Sequence, residues 1–154
     1  MWRKANKVIV SFDDVDKLIS KVSFSSDHKI IVGTDSLVRG QHYIFTTAIC
    51  ILTCETSDVR RYFYQRKTFD KSLYKSLYKR LVKETSDSIS IANELKSKYP
   101  NTNIEIHLDI NQNDKHKSSA YKNALLGYVQ GYGFEYKFKP DSFVASCIAD
   151  RHTK

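Results

Sequence analysis

The sequence predicts an α/β fold built on a five-stranded mixed sheet, strand order 3-2-1-4-5 with strand 2 antiparallel, flanked by helices. Three observations carry this expectation. Strand-like runs joined by short turn signals between residues 29 and 67 read as a meander of three antiparallel strands. The period then turns helical from Phe69 to Tyr99, and two further strand patterns follow, each succeeded by a helical one. A long helix between strands imposes a right-handed crossover, so strand 4 is expected parallel to strand 1, and strand 5 follows by the same rule.

In "SFDDVDKLISKVSF" Ser11 is placed to cap a helix with Asp14 three residues on, and Val15, Leu18, Ile19 and Val22 recur at helical spacing. After the turn signal "SSDH", Lys29 to Asp35 reads as the first strand, "LVRG" as a turn, and "QHYIFTTAICIL" as the second strand. "TCETSD" makes the next turn and "VRRYFYQRK" the third strand. The long helix is expected to begin near Asp70 and close at Pro100 and Asn101, weakened by serines between Thr85 and Ser90. "NIEIHLDIN" is the fourth strand, "DKHKSSAYKNALLGYVQGYG" a helix ending at glycines, and "FEYKFKPD" a fifth strand stopped by Pro140. A last helix is expected from Asp141 through "SFVASCIADR". Residues 1–154 are expected to form one domain, 1–28 being a helical N-terminal extension and 29–154 the core.

With 154 residues, 41% of them apolar, including ten Tyr and eight Phe, the chain can build a core of its own. Its net charge of +8 implies attraction to a polyanion, nucleic acid ahead of an anionic membrane surface. No run approaches the roughly 20 apolar residues of a membrane span, and "MWRKANKVIVSFDD" meets acids too early for a signal peptide, so a cytoplasmic protein with no membrane partner is expected. Cys50, Cys54 and Cys147 form no CxxC pair, and the five histidines form no HxxxH or HxH pair. Zinc and redox chemistry are disfavoured, and Cys50 and Cys54, in or beside "TTAICILTC", read as small hydrophobes.

In α/β sheets, binding sites form outside the carboxyl ends of the parallel strands. Strands 1, 4 and 5 carry Asp35, Asp109 and Asp141 at or just beyond those ends. Asp35, in "GTDS", fits a metal ligand or a turn residue. Asp109 shares one strand face with Glu105 and His107 while Ile104, Ile106, Leu108 and Ile110 fill the other, which an open cleft or an edge strand would explain. Glu84 discriminates better. At about 100° per residue it falls within the stripe of Leu73, Leu77, Leu81, Ile91 and Leu95, where an unpaired carboxylate is costly. It needs a Lys or Arg partner, or a metal held jointly with other acids.

Lys71, Lys75, Lys79 and Lys83 of "KSLYKSLYKR" fall on the opposite side of that helix, as a solvated face or an accessory nucleic-acid contact. Near the end of the sequence Asp141, either helix cap or ligand, competes with Asp150, about 13 Å further along a straight helix. Asp141 is favoured, with Asp150 as the alternate ligand or a partner of Arg151. His152 fits a proton carrier, a phosphate contact or an exposed residue.

A meander, a crossover helix and two further strands, with acids in the order Asp35, Glu84, Asp109 and then Asp141 or Asp150, resemble the ribonuclease H-like superfamily. More narrowly, "IVGTDS", "IEIHLDIN" and "KPDSFVASCIADRHTK" are similar to the small bacterial and phage ribonuclease H-like family typified by YkuK, the likeness covering Lys29 to Lys154. The resemblance implies a nuclease that hydrolyses phosphodiester bonds with two Mg²⁺ or Mn²⁺ ions. It implies ligand roles for Asp35, bridging both ions, and for Glu84, Asp109 and Asp141, with Asp150 the remaining candidate. Two departures bear on specificity for RNA/DNA hybrids: Pro140 abuts Asp141, leaving no room for a histidine-bearing loop, and no basic hybrid-binding protrusion is evident. The alternative is a non-catalytic nucleic-acid-binding or assembly module on the same fold. Nucleotide binding of the kind seen in sugar kinases and actin-like ATPases needs a second lobe, for which this length leaves no room.

Overall fold

A computed structural model describes residues 1–23, 28–53, 61–113, 115 and 117–154. Cys54, the turns expected at 25–28 and 53–58, the first residues of the expected third strand and the beginning of the segment "DKHKSS" fall wholly or partly outside those residues. The elements in chain order are β1 (Trp2–Lys4), β2 (Ile9–Val10), α1 (Phe12–Ser23), β3 (His28–Arg39), β4 (His42–Thr53), β5 (Tyr62–Asp70), α2 (Leu77–Lys98), β6 (Ile104–Asn111), α3 (Lys122–Gly131) and β7 (Glu135–Lys139). A π-helical segment, Val144–Ala149, then runs straight into α4 (Asp150–Thr153), and the two together are the C-terminal helix.

The sheet has seven strands in the order β2-β1-β5-β4-β3-β6-β7, which corrects the expected five-stranded order. The additions come from residues 2–10, assigned from sequence to a helical extension. Here they form a short hairpin whose β1 pairs antiparallel with β5, Arg3 opposite Tyr64. β4 is antiparallel to β3 and β5, whereas β6 runs parallel to both β3 and β7. The first helix forms as its cap predicts: Ser11 Oγ accepts from the Asp14 N–H at 3.2 Å, and Asp14 Oδ2 accepts from the Ser11 N–H at 3.0 Å.

β3 does not stop at Asp35. It pairs with β4 as far as Arg39, opposite His42, and the chain reverses through Gly40 and Gln41. Gly40 supplies the left-handed φ of +61° that this two-residue turn requires. α2 likewise starts later than expected, at Leu77, because Ser76 is its cap and accepts from the Lys79 N–H at 3.2 Å. Asp70 caps a separate 3₁₀ turn, Lys71–Tyr74, leaving Leu73 off the helix and 56% exposed. No break occurs between Thr85 and Ser90. The Thr85 hydroxyl bonds the Leu81 carbonyl at 2.8 Å, and Ser88 pairs with Thr34, itself bonded to Thr47, at 2.8 and 2.9 Å.

The larger core lies between one sheet face and helices α1, α2 and α3, around Ile19, Ile30, Val32, Leu95, Ile106 and Val129. The opposite face carries a smaller cluster, Ile31, Ala48, Cys50, Val144, Ile148 and Ala149, in which the C-terminal helix is the cover. Cys50 behaves as the expected small hydrophobe, with burial pushing its thiol up to about 12. Among the described residues no helix is long and apolar enough to cross a membrane.

The C-terminal helix crosses the sheet from β6 to β5. The Val144 N–H donates to His107 Nδ1 at 3.2 Å, and the His152 ring stacks on Tyr64 with centroids 3.7 Å apart. Between these anchors the helix backbone sits on Gly33, where a Cβ would lie 2.7 Å from the Ala145 nitrogen and 3.0 Å from its Cα. Gly33→Ala is therefore expected to lift the helix and cost about 1–3 kcal/mol, as overpacking does. Urea unfolding measures it, and a loss within about 0.5 kcal/mol, the ordinary surface range, would show that the helix is not seated there.

Candidate functional site

The acids meet where a ladder ends. β3 and β6 pair in parallel from Ile30 with Ile104 to Gly33 with His107. Two residues further on, Asp35 and Asp109 project from the sheet face that carries the C-terminal helix, since side chains alternate along a strand. The sequence reading placed Asp35 at the end of its strand. The feature that ends near Asp35 is the pairing with β6, while β3 continues on β4.

Glu84 arrives from the other face. It is buried on α2 and accepts from the Ser36 hydroxyl at 2.5 Å. Among the described residues no Lys or Arg pairs with it, although Arg80 exerts a smaller opposing influence on its carboxyl. Burial pushes the Glu84 pKa well above the usual carboxylate range, and the charges of Asp35 and Asp109 push it the same way.

The fourth carboxylate is Asp150. Asp141, the favoured candidate from sequence, is exposed in the turn after Pro140, its N–H bonded to the Phe138 carbonyl at 2.8 Å. It borders a groove with Gln112, Lys122, Tyr136 and Lys137 and with none of the other acids. The reason is the path of the last helix. Its π-helical winding begins at Val144, near β6, so its final turn reaches Asp35 and its first does not. Thr153 Oγ1 donates to Asp35 Oδ2 at 3.2 Å, and Asp150 lies one turn earlier on the same helix face.

Asp35 is buried, and its pKa is raised from 3.8 to about 7 by desolvation first, then by the charges of Asp109 and Asp150. Two lysines offset the outer acids. Lys139 Nζ lies 2.6 Å from Asp109 Oδ1, off the geometry of a hydrogen bond, and Lys154 Nζ donates to Asp150 Oδ2 at 2.6 Å. Among the described residues, no three His, Cys, Asp or Glu side chains stand close enough to hold one metal ion as placed. The donor chemistry nevertheless suits a hard divalent cation, being carboxylate oxygen throughout. Thr46 Oγ1, across the ladder from Asp35, and Asp109 Oδ1 are buried without a hydrogen-bond partner among the described residues.

Glu105 and His107, which share the face of Asp109, are not part of this cluster. Glu105 is held down to about 2, first by its hydrogen bond from His107 and then by Lys29, whose Nζ lies 3.0 Å away. Because His107 Nδ1 accepts from Val144, its Nε2 carries the proton and donates to Glu105 Oε1 at 2.8 Å. His152, which sequence reasoning left exposed or chemical, is buried, with its Nε2 2.7 Å from the Tyr62 hydroxyl.

A family model described as ribonuclease H-like matches residues 11–154, and the chain belongs to that family. No curated protein matches the sequence. Among solved structures the chain is similar to the N-terminal RNase H domain of Rv2228c from Mycobacterium tuberculosis, fused to maltose-binding protein. The identity is 12% and the TM-score 0.34, over 81% of this chain and 93% of that one.

A carboxyl whose pKa is raised on folding contributes stability that is full below its unfolded value and lost as pH rises through its folded one. For Asp35 that window runs from about 4 to about 7. At about 1.4 kcal/mol per unit, Asp35→Asn should stabilise the metal-free protein at pH 8 by on the order of 2–4 kcal/mol. The advantage should shrink towards zero near pH 4. Thermal melts of both proteins across this range provide the measurement, and an Asn variant no more stable than wild type at pH 8 would show the charge to be compensated in place.

Proposed function

We propose that this protein is a Mg²⁺- or Mn²⁺-dependent nuclease of the ribonuclease H-like family, residues 1–154 acting as one domain, with Asp35, Glu84, Asp109 and Asp150 as its metal-binding carboxylates. One observation carries the reading. Four acids from β3, α2, β6 and the C-terminal helix converge where the β3–β6 ladder ends, and the two innermost, Asp35 and Glu84, have no cation paired with them among the described residues. Carboxyls raised first by burial and then by neighbouring acids, as Asp35 and Glu84 are, suit a cation that would offset both effects.

Divalent ions bound there would supply an activated water and stabilisation of the leaving oxygen in phosphodiester hydrolysis. The chain's own residues do the positioning. Ser36 orients Glu84, Thr153 orients Asp35, and the seat of the C-terminal helix on Gly33 brings Asp150 to the cluster. Lys139 and Lys154 hold Asp109 and Asp150 in the meantime and would be displaced when those carboxylates turn inward. The net charge of +8 suits a nucleic-acid substrate, and the tail "KPDSFVASCIADRHTK" supports the narrower placement among YkuK-type proteins of bacteria and phage, acting in the cytoplasm.

The same two lysines support a second reading. If they are permanent counter-ions, the site is a relic and the protein a nucleic-acid-binding or assembly module.

Cleavage of labelled single-stranded and duplex DNA and RNA, hybrid and branched substrates with Mg²⁺, Mn²⁺ or EDTA separates the two. The nuclease reading expects metal-dependent cleavage that Asp35→Asn and Asp150→Asn each lower by roughly 100-fold or more, beyond what removal of a supporting residue costs. Asp141→Asn should leave the rate unchanged. Nucleic acid bound but never cut would establish the binding module, and a rate sensitive to Asp141 but not Asp150 would overturn the choice of the fourth acid.

A further inference from the structure

A second feature, opposite in sign, lies on the neighbouring side of the same helical turn. A cleft of about 420 Å³ opens between the β1–β2 hairpin and the C-terminal helix. Its floor is the sheet: Arg3 on β1 is paired with Tyr64 on β5, and Arg66 lies two residues on, so all three project from one face. Lys7, in the hairpin turn at a φ of +67°, closes one side, and Arg151 with the stacked His152 closes the other. Among the described residues no carboxylate is ion-paired with Arg3, Lys7, Arg66 or Arg151.

Arg66 spends its Nε–H on the His152 carbonyl, which leaves the rest of its donor fork unused by that bond. Four cations held together by strand pairing and a helix terminus, with no carboxylate paired to them among the described residues, form a site that an anion would stabilise.

We propose that this cleft holds a backbone phosphate of the nucleic acid on which the carboxylate cluster acts, an inference that rests on the nuclease reading for its partner. The C-terminal turn connects the two places. Asp150 and Thr153 face Asp35, while Arg151 and His152 line the cleft. Opposite faces of one helix are separated by about 10–12 Å, roughly three steps of a nucleic-acid strand at about 3.4 Å each. The Tyr64 ring is covered by His152 and offers no open face to a base, so the contact positions the strand without reading its sequence.

The test is the salt dependence of binding of a labelled DNA duplex in EDTA, between about 50 and 200 mM salt. Wild type is compared with Arg3→Gln/Lys7→Gln and with Lys71→Gln/Lys75→Gln. Each double variant removes two positive charges, and the second pair is exposed in the rival basic stretch. The proposal expects the first double variant to flatten the slope of log K against log salt by about 0.9, the contribution of the one phosphate contact it removes. The second should keep the wild-type slope, and Arg151→Gln alone should flatten it in the same direction by at most about 0.9, since the same phosphate is held. Equal changes in both double variants, no change in the first, or no binding by wild type would each overturn the proposal. The binding and cleavage outcomes separate: a slope that shifts as expected in a protein that never cuts keeps the cleft and removes the nuclease. Metal-dependent cleavage with an unshifted slope does the reverse.

Discussion

The hydrogen that Gly33 carries in place of a side chain sets the distance between the sheet and the C-terminal helix, and the rest of the site follows from that distance. With a Cβ 2.7 Å from the Ala145 nitrogen excluded, no other residue type allows the helix backbone to lie so low on β3. Its position along β6 is fixed separately, by a relay in which Lys29 anchors Glu105, Glu105 accepts from His107, and His107 accepts from the Val144 N–H. Each member is satisfied, so this buried polar chain can hold one arrangement without leaving a group unpaired. The far end is fixed by His152 on Tyr64 and Tyr62. A helix pinned at three points delivers Asp150 and Thr153 to Asp35 as a matter of geometry.

What the fold delivers there is electrostatically unfavourable. Burial raises the proton affinity of Asp35 and Glu84, the charges of Asp109 and Asp150 add to it at Asp35 and those of Asp35 and Asp109 add to it at Glu84, while lysines pair only with the two outer acids. Around them, Thr46 Oγ1 apart, the packing is largely satisfied. Ser88 and Thr34 close the polar seam under α2, Thr85 bonds back along its own helix, and Ile31, Ala48 and Ile148 pack the face beside Asp35. The contrast locates the tension at one point of the molecule, which is where proteins keep residues for a purpose other than folding.

Much of this was legible in the sequence wherever a side-chain period expressed a buried face. The alternation of "IEIHLDIN" gave β6 and its polar face, the Ser11–Asp14 spacing gave the first helix, and the apolar stripe of the long helix exposed Glu84 as misplaced. Three features were not legible. β1 and β2, of three and two residues, are too short to show a period and exist through pairing with β5. The full length of β3 was hidden because "LVRG" read as a turn, although Leu37, Val38 and Arg39 pair with β4, and nothing local showed that Gly33 answers a contact from a residue more than a hundred positions away. Asp150 lost to Asp141 because a regular helix was laid down from Asp141. The true start is later and π-wound, and the helix runs across the sheet from β6 towards β5. In each case the missing information was tertiary contact, which local pattern does not carry.

The charge layout connects these elements to function. A chain with a net charge of +8 nonetheless gathers four carboxylates at one place, and a polyanion approaching that place alone would be repelled. Charges separated by more than about 8–10 Å are largely screened at physiological salt when exposed. The chain's general positive charge would therefore draw a polyanion to the surface without overcoming repulsion at the acids themselves. Relief must come from cations close to the acids. Lys139 and Lys154 touch the acids directly, and Arg151, next to Asp150 in sequence, leads into the basic cleft. Placing both signs on one pinned turn fixes their separation, so a strand held at the cleft would keep a constant register at the acids.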